Sequence, residues 1–104
     1  DALNQFQRSY ELEPEGLQNG YIYALALNAN NRREQAIGVA ELAVDRFGDH
    51  RILLELLATM YRDAESFDEA LRYATRLEER FDGDVYRTLR AQMLLAIRKR
   101  DGPS

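Results

Sequence analysis

The feature that most constrains this chain is self-similarity at a step of 34 residues. Sliding the sequence against itself by that step aligns Ala2, Ala36 and Ala70, followed directly by Leu3, Ile37 and Leu71. Phe6, Ala40 and Ala74 fall together next, then Ser9, Ala43 and Leu77. In the other half of the unit Ile22 meets Leu56 and Ala24 meets Ala58, and Asp45-Arg46-Phe47-Gly48-Asp49 answers Glu79-Arg80-Phe81-Asp82-Gly83. A fixed step of this size is the mark of a repeat architecture, in which each unit buries its apolar face only by stacking on a neighbour.

Inside each unit the apolar rhythm is helical. Ile22, Leu25, Ala26 and Ala29 recur at three- and four-residue intervals, as do Ile37, Ala40, Val44 and Phe47. Asn30-Asn31 divides one unit; Asn31 is placed to cap the following helix, with Glu34 three residues on, and Ser66 with Glu69 reads as a capping box. Pro14 with Gly16, Gly48 with Asp49, and Asp82-Gly83-Asp84 close the units. The expectation is an all-α chain of six helices over 2–13, 17–29, 32–46, 51–64, 67–80 and 85–99, antiparallel between neighbours because the connections are short. In one domain, residues 1–16 form a half unit (second helix only), 17–50 and 51–84 are full units, 85–100 is a terminal capping helix, and 101–104 is a frayed tail.

Composition narrows the function classes. A chain 45% hydrophobic and 31% charged is too apolar to stay disordered. Its net charge of −4 argues against a nucleic-acid binder, which must supply cations to displace counterions from phosphates. No apolar run is long enough to cross a bilayer, so membrane insertion is not expected. The absence of cysteine removes disulfides and thiolate metal sites but leaves the compartment open, cytoplasmic or periplasmic. The chain opens on Asp1 with no signal-peptide pattern, which reads as a piece of something longer.

Nothing assembles into catalytic chemistry. His50 is the single histidine, beside Asp49, and reads as a surface or helix-start residue with no second ligand spaced for zinc. Asp82-Gly83-Asp84 looks like part of a calcium loop, but no acidic residue follows at the closing position, so a turn and helix cap is the reading. Glu11, Glu13 and Glu15, like Asp63, Glu65, Asp68 and Glu69, read as solvated helix ends. Arg98-Lys99-Arg100 complements a helix C-terminus. No enzyme activity, cofactor or metal is expected.

Period and residue types together resemble the tetratricopeptide repeat. Gly20, Tyr23-Ala24, Leu27, Ala36, Ala40, Ala43 and Gly48 take the pattern's places in the unit 17–50, and Leu54, Leu57-Ala58, Tyr61, Ala70, Ala74, Leu77 and Asp82 take them in 51–84. Ala2, Phe6, Ser9 and Pro14 match a second helix, while Thr88, Ala91, Gln92 and Leu95 stand at first-helix places. Gly20 and Ala40 are smaller than the pattern's usual residues, which allows that hairpin a closer approach. A weaker likeness joins Tyr21 to Asp84 with helical-repeat regions attached to bacterial periplasmic multihaem cytochromes, although this chain has no haem-attachment motif.

The resemblance implies a right-handed superhelical stack of antiparallel hairpins, an α-solenoid, acting as a protein-binding scaffold. It further implies that first helices line a concave groove holding a peptide or helical segment of a partner. Carried over, the groove residues are Gln18, Tyr21, Ile22, Leu25, Asn28 and Ala29, then Ile52, Glu55, Leu56, Thr59, Arg62 and Asp63, and finally Tyr86, Leu89, Arg90 and Met93. An equal reading takes Ile22, Leu25, Leu56 and Leu89 as helix-packing residues. Tyr21, Leu25, Glu55 and Thr59 occupy places where some family members carry lysine and asparagine to grip a chaperone's C-terminal carboxylate; only Arg90 fits, so that activity is not expected. Two alternatives stand beside the scaffold: self-association through the terminal helices around Leu3, Phe6 and Tyr10 or Leu94 and Ile97, and an accessory role within a larger bacterial enzyme or redox protein.

Overall fold

The computed structural model describes residues 2–12 and 16–102. Among them are six α-helices and no strand: α1 (Ala2–Leu12), α2 (Leu17–Ala29), α3 (Arg33–Phe47), α4 (Arg51–Asp63), α5 (Phe67–Arg80) and α6 (Asp84–Asp101). No helix is long and apolar enough to cross a membrane. Residues 13–15, including Pro14, lie outside the described set, as do 1, 103 and 104. The helices expected at 17–29 and 67–80 are found with those limits. The last one runs two residues past its expected end, so Asp101, expected in the tail, is helical and Gly102 at φ 83° stops the helix. Arg98, Lys99 and Arg100 form its final turn, where cations complement the partial negative charge of the unpaired carbonyls.

Each helix packs against its chain neighbours, and α2 also touches α4. The molecule is drawn out along one axis, 51 × 28 × 19 Å, with a radius of gyration of 14.7 Å. A compact chain of this length has a radius near 13 Å. The difference reflects a core laid out along a row of helices rather than gathered at one centre.

Small residues make the row possible. Ala24, Ala36, Ala40, Ala58, Ala70 and Ala74 are fully buried, so helix backbones approach closely along these stripes. On α3 the buried positions are Ala36, Ala40, Ala43 and Val44, and on α5 they are Ala70, Tyr73, Ala74 and Leu77. These follow the three-and-four spacing of one helix face. The bulk comes from Leu27, Leu53, Leu54, Leu57, Met60 and Leu77, the largest fully buried side chains. Gly20 of α2 faces Ala43 of α3, and a β-carbon placed on it would stand 3.7 Å from the Ala43 β-carbon and 3.7 Å from the Tyr10 ring.

The turns repeat bond for bond. After α2 the Arg32 amide donates to the Leu27 carbonyl (2.9 Å) and the Asn31 amide to Asn28 (3.2 Å). After α4 the Ser66 amide donates to Tyr61 (2.9 Å) and the Glu65 amide to Arg62 (2.9 Å). Both are Schellman closures, a six-to-one bond enclosing a five-to-two bond around one left-handed residue. Asn31 (φ 63°) and Glu65 (φ 61°) are those residues. This corrects two expected caps. Asn31 terminates α2 instead of capping α3, whose N-cap is Arg32, and Ser66 does hold the N-cap place of α5 but its hydroxyl makes no capping bond.

Polar contacts join the two hairpins across their seam. The Glu41 carboxylate on α3 accepts hydrogen bonds from the Tyr61 hydroxyl on α4 (2.7 Å) and the Tyr73 hydroxyl on α5 (3.0 Å). The two rings stack with centroids 5.8 Å apart, and the guanidinium groups of Arg72 and Arg76 lie over Tyr73. Asp49, between α3 and α4, pairs with Arg76 and Arg80 of α5. One carboxylate on α3 and one in the α3–α4 connection thus hold α5 onto the preceding hairpin.

Candidate partner-binding cleft

Helices α4 and α6 border a cleft of about 580 Å³. From α4 it receives Glu55, Thr59 and Arg62, which recur at four- and three-residue intervals on one face. Val85, Leu89 and Gln92 keep the same spacing on α6, with Asp84, Tyr86 and Thr88 completing the wall. Val85 is 71% exposed, and Leu89 is half-buried beside it. One side of the cleft is therefore apolar and open to solvent.

Opposite that side stands an oriented carboxylate. The Tyr86 hydroxyl donates to Glu55 at 2.7 Å, tying α6 to α4 at the cleft. Burial raises the Tyr86 hydroxyl above its ordinary range; the hydrogen bond to Glu55 and the charge of Glu55 add to this, while Arg51 opposes it. Tyr86 thus remains a donor at any physiological pH and leaves the other Glu55 oxygen to accept from a ligand. Arg62 lies 3.6 Å from Asp63 in an exposed pair, a contact weak enough in water for the guanidinium to turn toward an incoming acceptor.

Of the residues expected to form a groove, the structure gathers Glu55, Thr59, Arg62, Tyr86 and Leu89 in this one cleft. Leu56, Met93 and Arg90 are not among its lining residues. Leu56, Tyr86 and Met93 are buried, at 9%, 6% and 3% exposure, and Leu56 and Tyr86 belong to the core cluster. Leu56 and Met93 serve packing, whereas Tyr86, although buried, lines the cleft and bonds to Glu55. Arg90 turns away to Glu78 of α5, at 3.6 Å.

The α2 members do not join the cleft. Gln18 and Leu25 are exposed, Tyr21 and Ile22 are half-buried, and Asn28 borders a separate polar depression with Arg32 and Arg33 at the α2–α3 turn. Ile52, at the start of α4, is exposed, as are Ala29 and Asp63. Sequence reasoning passed over Val85, Thr88 and Gln92. Their signal is the three- and four-residue spacing that sets Val85, Thr88, Leu89 and Gln92 on one face of α6.

His50 sits at the N-cap position of α4, exposed, with an extended backbone. Among the described residues no three His, Cys, Asp or Glu side chains cluster so as to hold a metal ion. The cleft offers hydroxyls, an amide, carboxylates and one guanidinium beside an apolar wall, a set suited to hydrogen bonding and desolvation of a bound segment. Comparison with protein-family models, curated proteins and solved structures gives no match.

Proposed function

We propose that this chain is a stack of tetratricopeptide-type hairpins working as a protein-binding scaffold, with the cleft between α4 and α6 as its principal contact surface. The observation that carries the reading is the pairing of exposed Val85 and half-buried Leu89 with the Tyr86-held Glu55 across one open cleft. An apolar wall supplies affinity and a fixed acceptor supplies register, the combination that recognises an amphipathic helix or extended segment. Two further facts support it: the 34-residue recurrence of the Schellman turns, and the elongated row of helices. The expected presenter on the ligand is an apolar side chain next to a donor such as lysine or a backbone amide.

The test is selection of peptides from a displayed library on the intact chain, followed by calorimetric titration of the best binder. Val85→Glu and Glu55→Gln should each weaken that binder by about tenfold or more, as central contacts do. Gln18→Ser, on α2 away from the cleft, should leave it unchanged. A binder indifferent to both cleft substitutions would place the contact surface elsewhere.

A further inference from the structure

We infer that the occupant of the α4–α6 cleft is a basic segment of another protein, one that sets a lysine or arginine on Glu55 and an aliphatic neighbour on Val85 and Leu89. The inference rests on the cleft as the contact surface, as proposed above, and decides which donor the partner brings. Glu55 is half-buried, and its Oε2 accepts from the Tyr86 hydroxyl at 2.7 Å, which leaves Oε1 without a partner among the described residues. The arginines around it are engaged elsewhere. Arg51, one turn earlier on α4, rests over the Phe81 ring, 5.1 Å from its centroid. Arg62 leans on Asp63 and Arg90 on Glu78, each at 3.6 Å. Arg87 stands 3.9 Å from Asp84, and both are exposed. Glu55 therefore carries a charge that no cation among the described residues meets at pairing distance.

That unmet charge selects the partner. A segment lying on Val85 and Leu89 strips water from the half-buried carboxylate, which costs free energy unless an opposite charge takes the water's place. A backbone amide or a neutral side chain supplies a hydrogen bond but no countercharge, and an acidic residue adds repulsion. Lysine or arginine supplies both bond and charge, in the stronger, charge-assisted kind of hydrogen bond. The lining points the same way: it carries the carboxylates of Glu55 and Asp84 and the guanidinium of Arg62, which has Asp63 beside it. Exposed Val85 and half-buried Leu89 lie one helical turn apart on α6, where they meet the apolar stem of such a side chain or its aliphatic neighbour.

Selection from a displayed peptide library on the intact chain should return binders with lysine or arginine beside an aliphatic residue. The best binder, made with arginine at that position, is then compared by calorimetry with its citrulline analogue, which keeps the shape and the N–H donors and loses only the charge. The citrulline form should bind the unaltered chain about tenfold or more weakly. The arginine form should also lose more affinity than the citrulline form as salt rises, because added ions screen the exposed part of the charge contact. On Glu55→Gln the two forms should bind alike, and the citrulline form should bind as it does to the parent, which shows that the variant is folded. The citrulline and salt comparisons need no variant, so they decide even if Glu55→Gln fails to fold. Binders without a basic residue, a citrulline form as tight as the arginine form, or an arginine preference that persists on Glu55→Gln would each overturn the inference and leave the cleft standing. Binders that hold Val85→Glu as tightly as the parent would overturn both.

Discussion

Asn31 and Glu65, 34 residues apart, hold the same left-handed backbone conformation, at φ 63° and 61°. Each is enclosed by the same pair of bonds, from the following residue's amide back to Leu27 or Tyr61 and from its own amide to Asn28 or Arg62. Asparagine tolerates this conformation, whereas glutamate meets the clash between its β-carbon and the following carbonyl. Glu65→Gly should therefore raise stability by about 1 kcal/mol, measured as a shift in the urea midpoint at unchanged slope. Asn31→Gly should do much less. A loss of stability at Glu65→Gly would mean that the second turn is not the one described.

Two glycines should respond in opposite directions to alanine. Gly38 lies in the interior of α3 with nothing within 4 Å of where a β-carbon would stand, so Gly38→Ala should stabilise the chain by about 1 kcal/mol. Gly48 ends α3 at φ 92°, and its amide donates to Val44 at 2.8 Å. Gly48→Ala should destabilise by about 1–2 kcal/mol because the added β-carbon opposes that conformation. Thermal unfolding of the two variants beside the parent would show the difference in sign.

Ala58 is fully buried on α4. Ala58→Leu should overpack the helix contact and cost about 1–3 kcal/mol. Circular dichroism during urea titration would report the loss. A neutral result would mean that the helices are not closely packed there.

The seam between the hairpins should weaken in alkali. Burial, then the hydrogen bond and charge of Glu41, push the Tyr61 hydroxyl well above its usual range. Tyr73 shifts upward for the same reasons, burial first, with Arg72 and Arg76 pulling the other way. The folded chain thus holds these protons more tightly than the unfolded chain, whose tyrosines titrate near pH 10. The stabilisation is complete below about pH 10 and is lost as pH rises beyond it toward the folded-state values. Unfolding free energies measured from about pH 8 to about pH 11 should fall more steeply for the parent than for Tyr61→Phe. At neutral pH Glu41→Ala should cost about 1–3 kcal/mol by depriving the Tyr73 hydroxyl of its acceptor.

Sequence reasoning reached the helices because helical periodicity is local. The apolar spacing of Ile37, Ala40 and Val44 and the breaks at Gly48 and Asp82-Gly83 lie within a few residues of what they determine. It misassigned Asn31 because the same residue type serves both an N-cap and a left-handed C-terminal position, and only the backbone distinguishes them. The Glu41–Tyr61–Tyr73 seam escaped it altogether, since its members lie on three helices and span 20 and 32 residues. The cleft was half readable. Glu55, Thr59, Arg62 and Leu89 were found through the family resemblance, but Leu56 and Met93 carry the same apolar signature whether they face a partner or a neighbouring helix. Burial is a tertiary property, and no spacing within one helix contains it.

The repeat claim is tested most directly by the rigid-body step between hairpins, measured in an experimental structure of the intact chain. One rotation and translation that lays α2–α3 on α4–α5 should also carry α1 onto α3 and α4 onto α6, with the Leu27–Arg32 and Tyr61–Ser66 bonds superposing. Hairpins that need a different operation for each pair would contradict it, and the chain would then be an ordinary helical bundle.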